Sequence, residues 1–167
     1  GLSGSMMAVY LAKRGFRVDI YERRPDMRNT DISAGKSINL AISVRGLHAM
    51  EELGLLDEVM GMCIPMRGRV VHDLDGETNF QAYSKDGKTA INSISRGDLN
   101  VLLMNAADAH ENIRFHFNHR CLGADVRTGE VQFQNEESGT QFTVSGQTVV
   151  ACDGAFSGAR TSLLRSP

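Results

Sequence analysis

The sequence predicts an α/β fold, a parallel core carrying antiparallel additions. Three observations lead there. A helix-forming stretch passes through one glycine into a strand at residues 16–22, the second half of a βαβ unit. A leucine-patterned helix beginning near residue 96 feeds another strand at 113–117. An uninterrupted apolar run, Thr148-Val-Val-Ala-Cys152, has the composition of a strand buried on both faces.

Each element has its own signal. Gly1 to Arg14 reads as a turn entering a helix, with Met7, Tyr10 and Leu11 at helical spacing and Gly15 as the stop. The following strand, Phe16 to Glu22, points apolar Phe16, Val18 and Ile20 to one side. Residues 23–36 are polar and irregular, with Pro25 and Gly35, and read as a loop. A short β-like stretch follows at 37–43. A helix over 46–53 has Leu47, Met50 and Leu53 on one face and Gly54 at its end. Strands at 70–74 and 78–83 flank Asp75-Gly76, a hairpin turn signal. Ser95-Arg-Gly-Asp98 is a capping box with Asp in the place of Glu. Leu99, Leu102, Leu103, Ala106 and Ala107 then repeat with the helical period. Segments 120–126, 130–134 and 141–144, punctuated by Gly129 and Gly139, predict a three-stranded meander.

Composition narrows the function classes. The chain has 167 residues, 41% hydrophobic and 23% charged, ordinary for a globular domain with a buried core. A formal net charge of −2 argues against a nucleic-acid partner. The three cysteines form no CxxC pair, which argues against a disulfide framework or a zinc site. His116 and His119 fall in a predicted strand without ligand spacing, so no metal is expected. No run approaches the roughly 20 apolar residues of a membrane helix. The chain opens on Gly1-Leu-Ser-Gly4 with no initiator methionine, and truncation at both ends is the expectation.

Two motifs bear chemistry. Gly1-Leu-Ser-Gly4 matches the second half of GxGxxG. There one glycine admits a pyrophosphate to the backbone, the next lets helix and strand pack closely, and the helix N-terminus faces the phosphate charge. The same four residues also fit an ordinary turn. Glu22 ends the next strand, near the roughly 20-residue spacing of an acid that accepts ribose hydroxyl hydrogen bonds. A solvated strand-end carboxylate would look the same, and the pair does not separate FAD from NAD. In the second motif, Cys152-Asp153-Gly154 is followed by Ser157 and Arg160. Asp153 then stands at a strand's carboxyl end, where open α/β sheets bind ligands. The alternative is a plain strand-to-helix turn with a capping acid.

Asp153-Gly154-x-x-Ser157-x-x-Arg160 resembles the mid-chain motif of the flavoprotein aromatic hydroxylases, the single-component FAD monooxygenases. In that family it is associated with FAD and with reduced nicotinamide. Ile94-Ser95-Arg96 is similar to the family's FAD-contacting arginine. Four blocks together resemble the kynurenine 3-monooxygenase family: Lys36 to Ser43, Ile64 to Arg69, Ser93 to Arg96, and His116-Phe-Asn-His-Arg120. They span nearly the whole chain in the expected order.

The resemblance implies a Rossmann-like FAD-binding domain over 1–167, lacking its first strand, with 64–92 an excursion into a substrate domain. It implies hydroxylation of L-kynurenine to 3-hydroxykynurenine using NADPH, FAD and O2, by way of a flavin hydroperoxide. The fragment alone is expected to be inactive. The oxygen chemistry would belong to the cofactor, so no catalytic side chain is expected. Gly1 and Gly4 would line the pyrophosphate turn and Glu22 would hold the adenosine ribose. Arg24, Ala41 and Arg96 would lie along FAD, Cys121 would contact it through backbone, and Asp153 would close the site. Arg69 and Tyr83 would grip the substrate carboxylate, a guanidinium fork plus a hydroxyl donor. On residues alone, Arg69 also reads as a surface arginine beside Arg67, and Tyr83 as a packing residue. Lys36 stands where the family has arginine, and Cys121 where it has leucine. The family's later Gly-Asp motif is absent. The implied location is cytoplasmic for a bacterial source and the mitochondrial outer membrane for a eukaryotic one. Other readings are a sister hydroxylase, an NAD-dependent dehydrogenase domain, and a non-catalytic nucleotide-binding module. Asp153-Gly154 with Ser157 and Arg160 speaks against the dehydrogenase.

Overall fold

The computed structural model describes residues 1–29, 38–86 and 89–165. Its elements begin with α1 (Leu2–Ala12), β1 (Val18–Tyr21), β2 (Asn39–Ile42), α2 (Val44–Leu53) and α3 (Leu56–Met62). Next come β3 (Ile64–Met66), β4 (Gly68–His72), β5 (Thr78–Ala82), β6 (Ile91–Ser95) and α4 (Arg96–Asp108). The chain closes with β7 (Ile113–His116), β8 (His119–Ala124), β9 (Glu130–Asn135), β10 (Gln141–Ser145) and α5 (Gly158–Arg165). Two compact units result: Gly1–Ala34 with Asn100–Pro167, and Gly35–Leu99.

In the first unit β1 and β7 pair in parallel, Val18 opposite Ile113 through Tyr21 opposite His116. Helix α1 lies on β1. Its buried residues are Ser5, Ala8, Val9 and Ala12, while Met7 is 40% exposed. The spacing of Met7, Tyr10 and Leu11 therefore marks the wrong face. Small side chains face inward because they let the helix axis approach the layer beneath it. Gly15, at φ 84°, ends the helical turn in the left-handed region as expected. Asn112 then ties helix to strand, its Nδ2 donating to the carbonyls of Ala12 at 3.1 Å and Phe16 at 2.7 Å.

The meander forms as the sequence predicts, antiparallel in the order β10-β9-β8. Tyr21 joins it to the parallel pair: its ring stacks on His116 at 4.5 Å and on Phe133 of β9 at 4.1 Å. Helix α5 docks on β8. Ser162 Oγ donates to the Ala124 carbonyl at 3.0 Å and accepts from the Ala124 N–H at 2.9 Å. A Cβ on Gly158 would stand 2.6 Å from the Cys121 carbonyl oxygen, so the helix reaches this depth only with glycine there.

Thr148 to Cys152 is not a strand. The segment is irregular and exposed, with Val149 44% and Val150 46% accessible. An apolar run becomes a doubly buried strand only between ladder neighbours, and among the described residues none pairs with it. Its last residue does meet α1: a Cβ on Gly4 would lie 3.5 Å from the Cys152 Cβ.

In the second unit β6 is the central strand of an antiparallel sheet ordered β2-β6-β3. Its Ile94 is 1% exposed. Ser43 caps α2 by accepting the Gly46 N–H, and Gly54, at φ 80°, ends it. Met50, Leu53 and Val59 form the core of this α-helical pair. Strands β4 and β5 pair from Gly68 opposite Ala82 to His72 opposite Thr78 around the predicted turn, where Gly76 has φ 87°.

Replacing Gly158 with alanine forces α5 outward or β8 to yield. Gly158→Ala should lower stability by about 1–3 kcal/mol, read from denaturant midpoints, the usual cost of overpacking. An unchanged midpoint would show that α5 docks loosely.

Candidate functional site

Helix α1 starts at the glycine turn, with Gly1 as its cap. No side chain caps its first amides, and its first turn carries no acid. Uncapped amides are the donor set of an anion site at a helix start. Glu22 follows directly on β1. Its Oε2 is 2.8 Å from the Gly1 nitrogen, while its Oε1 accepts from the Arg24 N–H at 3.1 Å and Nε at 3.2 Å. Burial pushes the carboxyl up, but in the 167-residue chain the charged amino group of Gly1, and then Arg24, outweigh it and hold its pKa at about 2. The structure thus brings the glycine turn and the strand-end acid together, with the acid ionised.

Asp153 lies in the same unit. Its Oδ1 accepts the Ser157 hydroxyl and its Oδ2 the Ala159 N–H at 3.2 Å. Ser157 Oγ in turn accepts the Arg160 N–H at 2.9 Å, and the Arg160 guanidinium donates to the Ala155 carbonyl. Asp153, Ser157 and Arg160 therefore tie the start of α5 to the turn at Gly154, whose φ is 78°. Burial raises the Asp153 carboxyl, and the Ser157 hydroxyl and backbone N–H groups lower it further than burial lifts it. Cys121 is half-buried on β8, where the ladder slips between Cys121 and Gly123. Burial, then the charge of Asp153, pushes its thiol up, which suits a position used through its backbone.

The remaining candidates belong to the other unit. Ala41 is exposed at the middle of β2, opposite Ser93. Arg96 is exposed at the first position of α4, where Ser95 Oγ accepts the Asp98 N–H at 3.3 Å, the first half of the expected capping box. Arg69 sits on β4 opposite Gln81, and its Nε donates to Gln81 Oε1 at 2.8 Å. Tyr83 lies just past β5, 44% exposed, with its N–H on the Arg67 carbonyl at 2.9 Å. Two residues beyond Gln81, it shares the Arg69 face of the hairpin. Lys36 lies outside the described residues. Among those described, no three His, Cys, Asp or Glu side chains could hold a metal ion, and no helix is long and apolar enough to cross a membrane.

Three further residues of this site carried no individual signal in the sequence: Gly158, Arg28 and Asn118. Gly158 shows its necessity only through the carbonyl it faces. Arg28 sits in a segment that reads as polar loop. Asn118 sits inside a block that family resemblance marks without a role.

A family model for the FAD binding domain matches residues 1–165. The chain belongs to the FAD binding domain family. It is also a homologue of kynurenine 3-monooxygenases. It is 43% identical over 167 residues to that of Myxococcus xanthus and 40% identical over 169 residues to that of Drosophila willistoni. Both alignments cover 100% of this chain, and 36% and 37% of the relatives. The chain thus spans about a third of their length. A solved structure of PqsL from P. aeruginosa in complex with 2-aminobenzoylacetate aligns with TM-score 0.66 and 27% identity, covering 100% of this chain and 44% of that one. The fold is that of a mixed α/β FAD-binding domain of the flavin monooxygenases; the start of α1 and the Glu22 carboxylate are groups that could hold a pyrophosphate and a ribose.

Glu22 gives a pH dependence with a definite sign. In the 167-residue chain, against the upward push of burial, the charged amino group of Gly1 and Arg24 depress its carboxyl in the folded state, so its stabilisation is complete above the ordinary value of 4.5 and is lost as pH falls toward about 2. Glu22→Gln should flatten the stability loss across that window while changing little of its slope near neutral pH, read from denaturant midpoints at a series of pH values. An unchanged acid limb would mean that Glu22 is not paired in solution.

Proposed function

We propose that this FAD-binding domain is part of an NADPH-dependent flavoprotein monooxygenase that hydroxylates L-kynurenine to 3-hydroxykynurenine. The observation that carries the reading is the 43% identity to a kynurenine 3-monooxygenase along the whole chain. On this reading residues 1–167 are a partial, Rossmann-like FAD-binding domain, and 64–92 reach into the substrate domain of the full-length enzyme. The source sets its location: the cytoplasm in a bacterium, the mitochondrial outer membrane in a eukaryote.

FAD, reduced by NADPH, supplies the oxygen chemistry. The chain's own residues bind and orient. Gly1 and Gly4 line the turn that receives the pyrophosphate, and Glu22 accepts from the ribose hydroxyls. Arg24 holds Glu22 by two hydrogen bonds. In the first unit Asp153 and, through its backbone, Cys121 serve the cofactor; in the second, the resemblance assigns it Ala41 and Arg96. Arg69 and Tyr83 take the amino-acid carboxylate. Their shared face on the hairpin supports this, since a guanidinium and a phenol on diagonal positions can reach one carboxylate. Gln81 occupies the Arg69 fork in the meantime, as a neutral partner that a carboxylate displaces.

The full-length protein should be yellow and should oxidise NADPH faster when kynurenine is added. Arg69→Ala should weaken kynurenine binding roughly tenfold to a hundredfold, the worth of one charge-assisted contact. FAD affinity should stay within about twofold, measured by flavin fluorescence titration. Equal losses of both ligands would make Arg69 a structural residue. Absence of kynurenine-stimulated oxidation would remove the substrate and leave the flavin domain standing.

A further inference from the structure

The corner Phe117-Asn118-His119 joins β7 to β8. Asn118 is the sole non-glycine residue with positive φ among the described residues, at 60°. L-residues avoid that region because Cβ crowds the following carbonyl, and asparagine tolerates it better than most. Such conformations persist where the surroundings over-determine them, and at Asn118 the surroundings do. Its N–H donates to the Arg24 carbonyl at 3.2 Å, and its carbonyl accepts the Glu136 N–H at 2.7 Å. Its side-chain Nδ2 donates to Glu137 Oε1 at 2.6 Å.

The same corner holds Glu22 on both sides. The Glu22 N–H donates to the His116 carbonyl at 2.9 Å, and the Glu22 carbonyl accepts the His119 N–H at 2.9 Å. Parallel pairing alone would stop at His116. Turning through Asn118 lets the main chain follow the segment after β1 for three more residues, Glu22 through Arg24.

Arg28 fastens the far end of that segment. Its guanidinium donates to Asp26 at 2.7–3.1 Å and to Asp108, the last residue of α4, at 2.9 Å. It also lies 5.7 Å above the Phe115 ring and 5.9 Å above Phe117, which stack on each other at 5.3 Å. The side chain is 21% exposed, so this is a covered clamp, worth more than a solvated surface pair. Residues 115–119 therefore grip the stretch from Glu22 to Arg28 at both ends.

We infer that this corner is a positioning device for the cofactor: Asn118, and Arg28 laid over Phe115 and Phe117, fix the Glu22–Arg24 segment so that the carboxylate stands where a ribose hydroxyl reaches it. The inference rests on the reading of Glu22 as the ribose acceptor. Asn118 and Arg28 act through Glu22 and Arg24 and are positioning residues. The arrangement also accounts for asparagine: its amide secures the turn to Glu137 while its backbone takes the left-handed shape.

The test uses the full-length protein and three measurements: FAD Kd by fluorescence titration, kynurenine KM at saturating FAD, and the melting temperature of the FAD-free protein. Asn118→Ala and, independently, Arg28→Met should raise FAD Kd about tenfold with kynurenine KM unchanged. Asn118→Gly, which keeps the left-handed backbone at no steric cost, should restore FAD Kd to within about twofold of the parent. FAD Kd unchanged in both Asn118→Ala and Arg28→Met would overturn the inference, as would a rise in kynurenine KM matching the rise in FAD Kd. A lowered melting temperature with no change in Kd would reduce the corner to a structural turn and also overturn it. Glu22→Gln separates the two layers. If Glu22→Gln leaves FAD Kd unchanged, the ribose reading of Glu22 fails and the inference falls with it. If Glu22→Gln raises Kd and neither positioning variant does, the inference alone fails.

Discussion

A carboxylate drawn half out of water stays ionised only where donors surround it, and Glu22 is kept in that condition by its neighbours. The amino group of Gly1, charged in this 167-residue chain, takes one oxygen, and the backbone and side chain of Arg24 take the other. Everything else in the first unit serves that meeting. Helix α1 brings the glycine turn to the end of β1 because its inner face is made of small residues. The parallel pairing of β1 with β7 sets how far along the sheet the acid stands. A negative charge next to the uncapped start of a helix is a stable arrangement in itself, since the helix end carries partial positive charge.

The motif around Asp153 works by a different logic. Its hydrogen bonds run inward, to Ser157 and to the backbone of α5, and the aspartate is spent largely on holding a turn. That makes Asp153 an anchor of the turn into α5. Of the two readings of this residue that the sequence leaves open, the geometry carries the capping one: the carboxylate accepts from Ser157 and from the backbone at the start of α5.

What the sequence made legible, and what it did not, follows from the range of the forces involved. Elements fixed by neighbours in the chain were readable. The hairpin turn at Asp75-Gly76, the stop at Gly54 and the meander punctuated by Gly129 and Gly139 depend on local backbone preference, and they form where expected. Helix α3 and strands β3 and β6 carry no comparable local signal and escaped notice. Strand β6 is held by neighbours on both sides, β2 and β3, which no pattern within five residues can announce. Thr148 to Cys152 failed in the opposite direction, because hydrophobicity states a preference for burial without supplying the neighbours that confer it. For the site, glycine turn and acid could be paired from spacing alone. Gly158, whose need arises from a carbonyl on β8, and Asn118, whose backbone angle is imposed by contacts with Arg24 and Glu136, became visible only in three dimensions.

The β4–β5 ribbon has a consequence for handling the chain. Val70 and Phe80 are 54% and 61% exposed, and among the described residues neither strand has a second neighbour. Two strands with open hydrogen-bonding edges and bare apolar side chains form a template for adding further strands. In the isolated chain this ribbon is open to strand addition. A lysine placed at Val70 or Phe80 is the economical remedy for anyone who wants the isolated piece in solution.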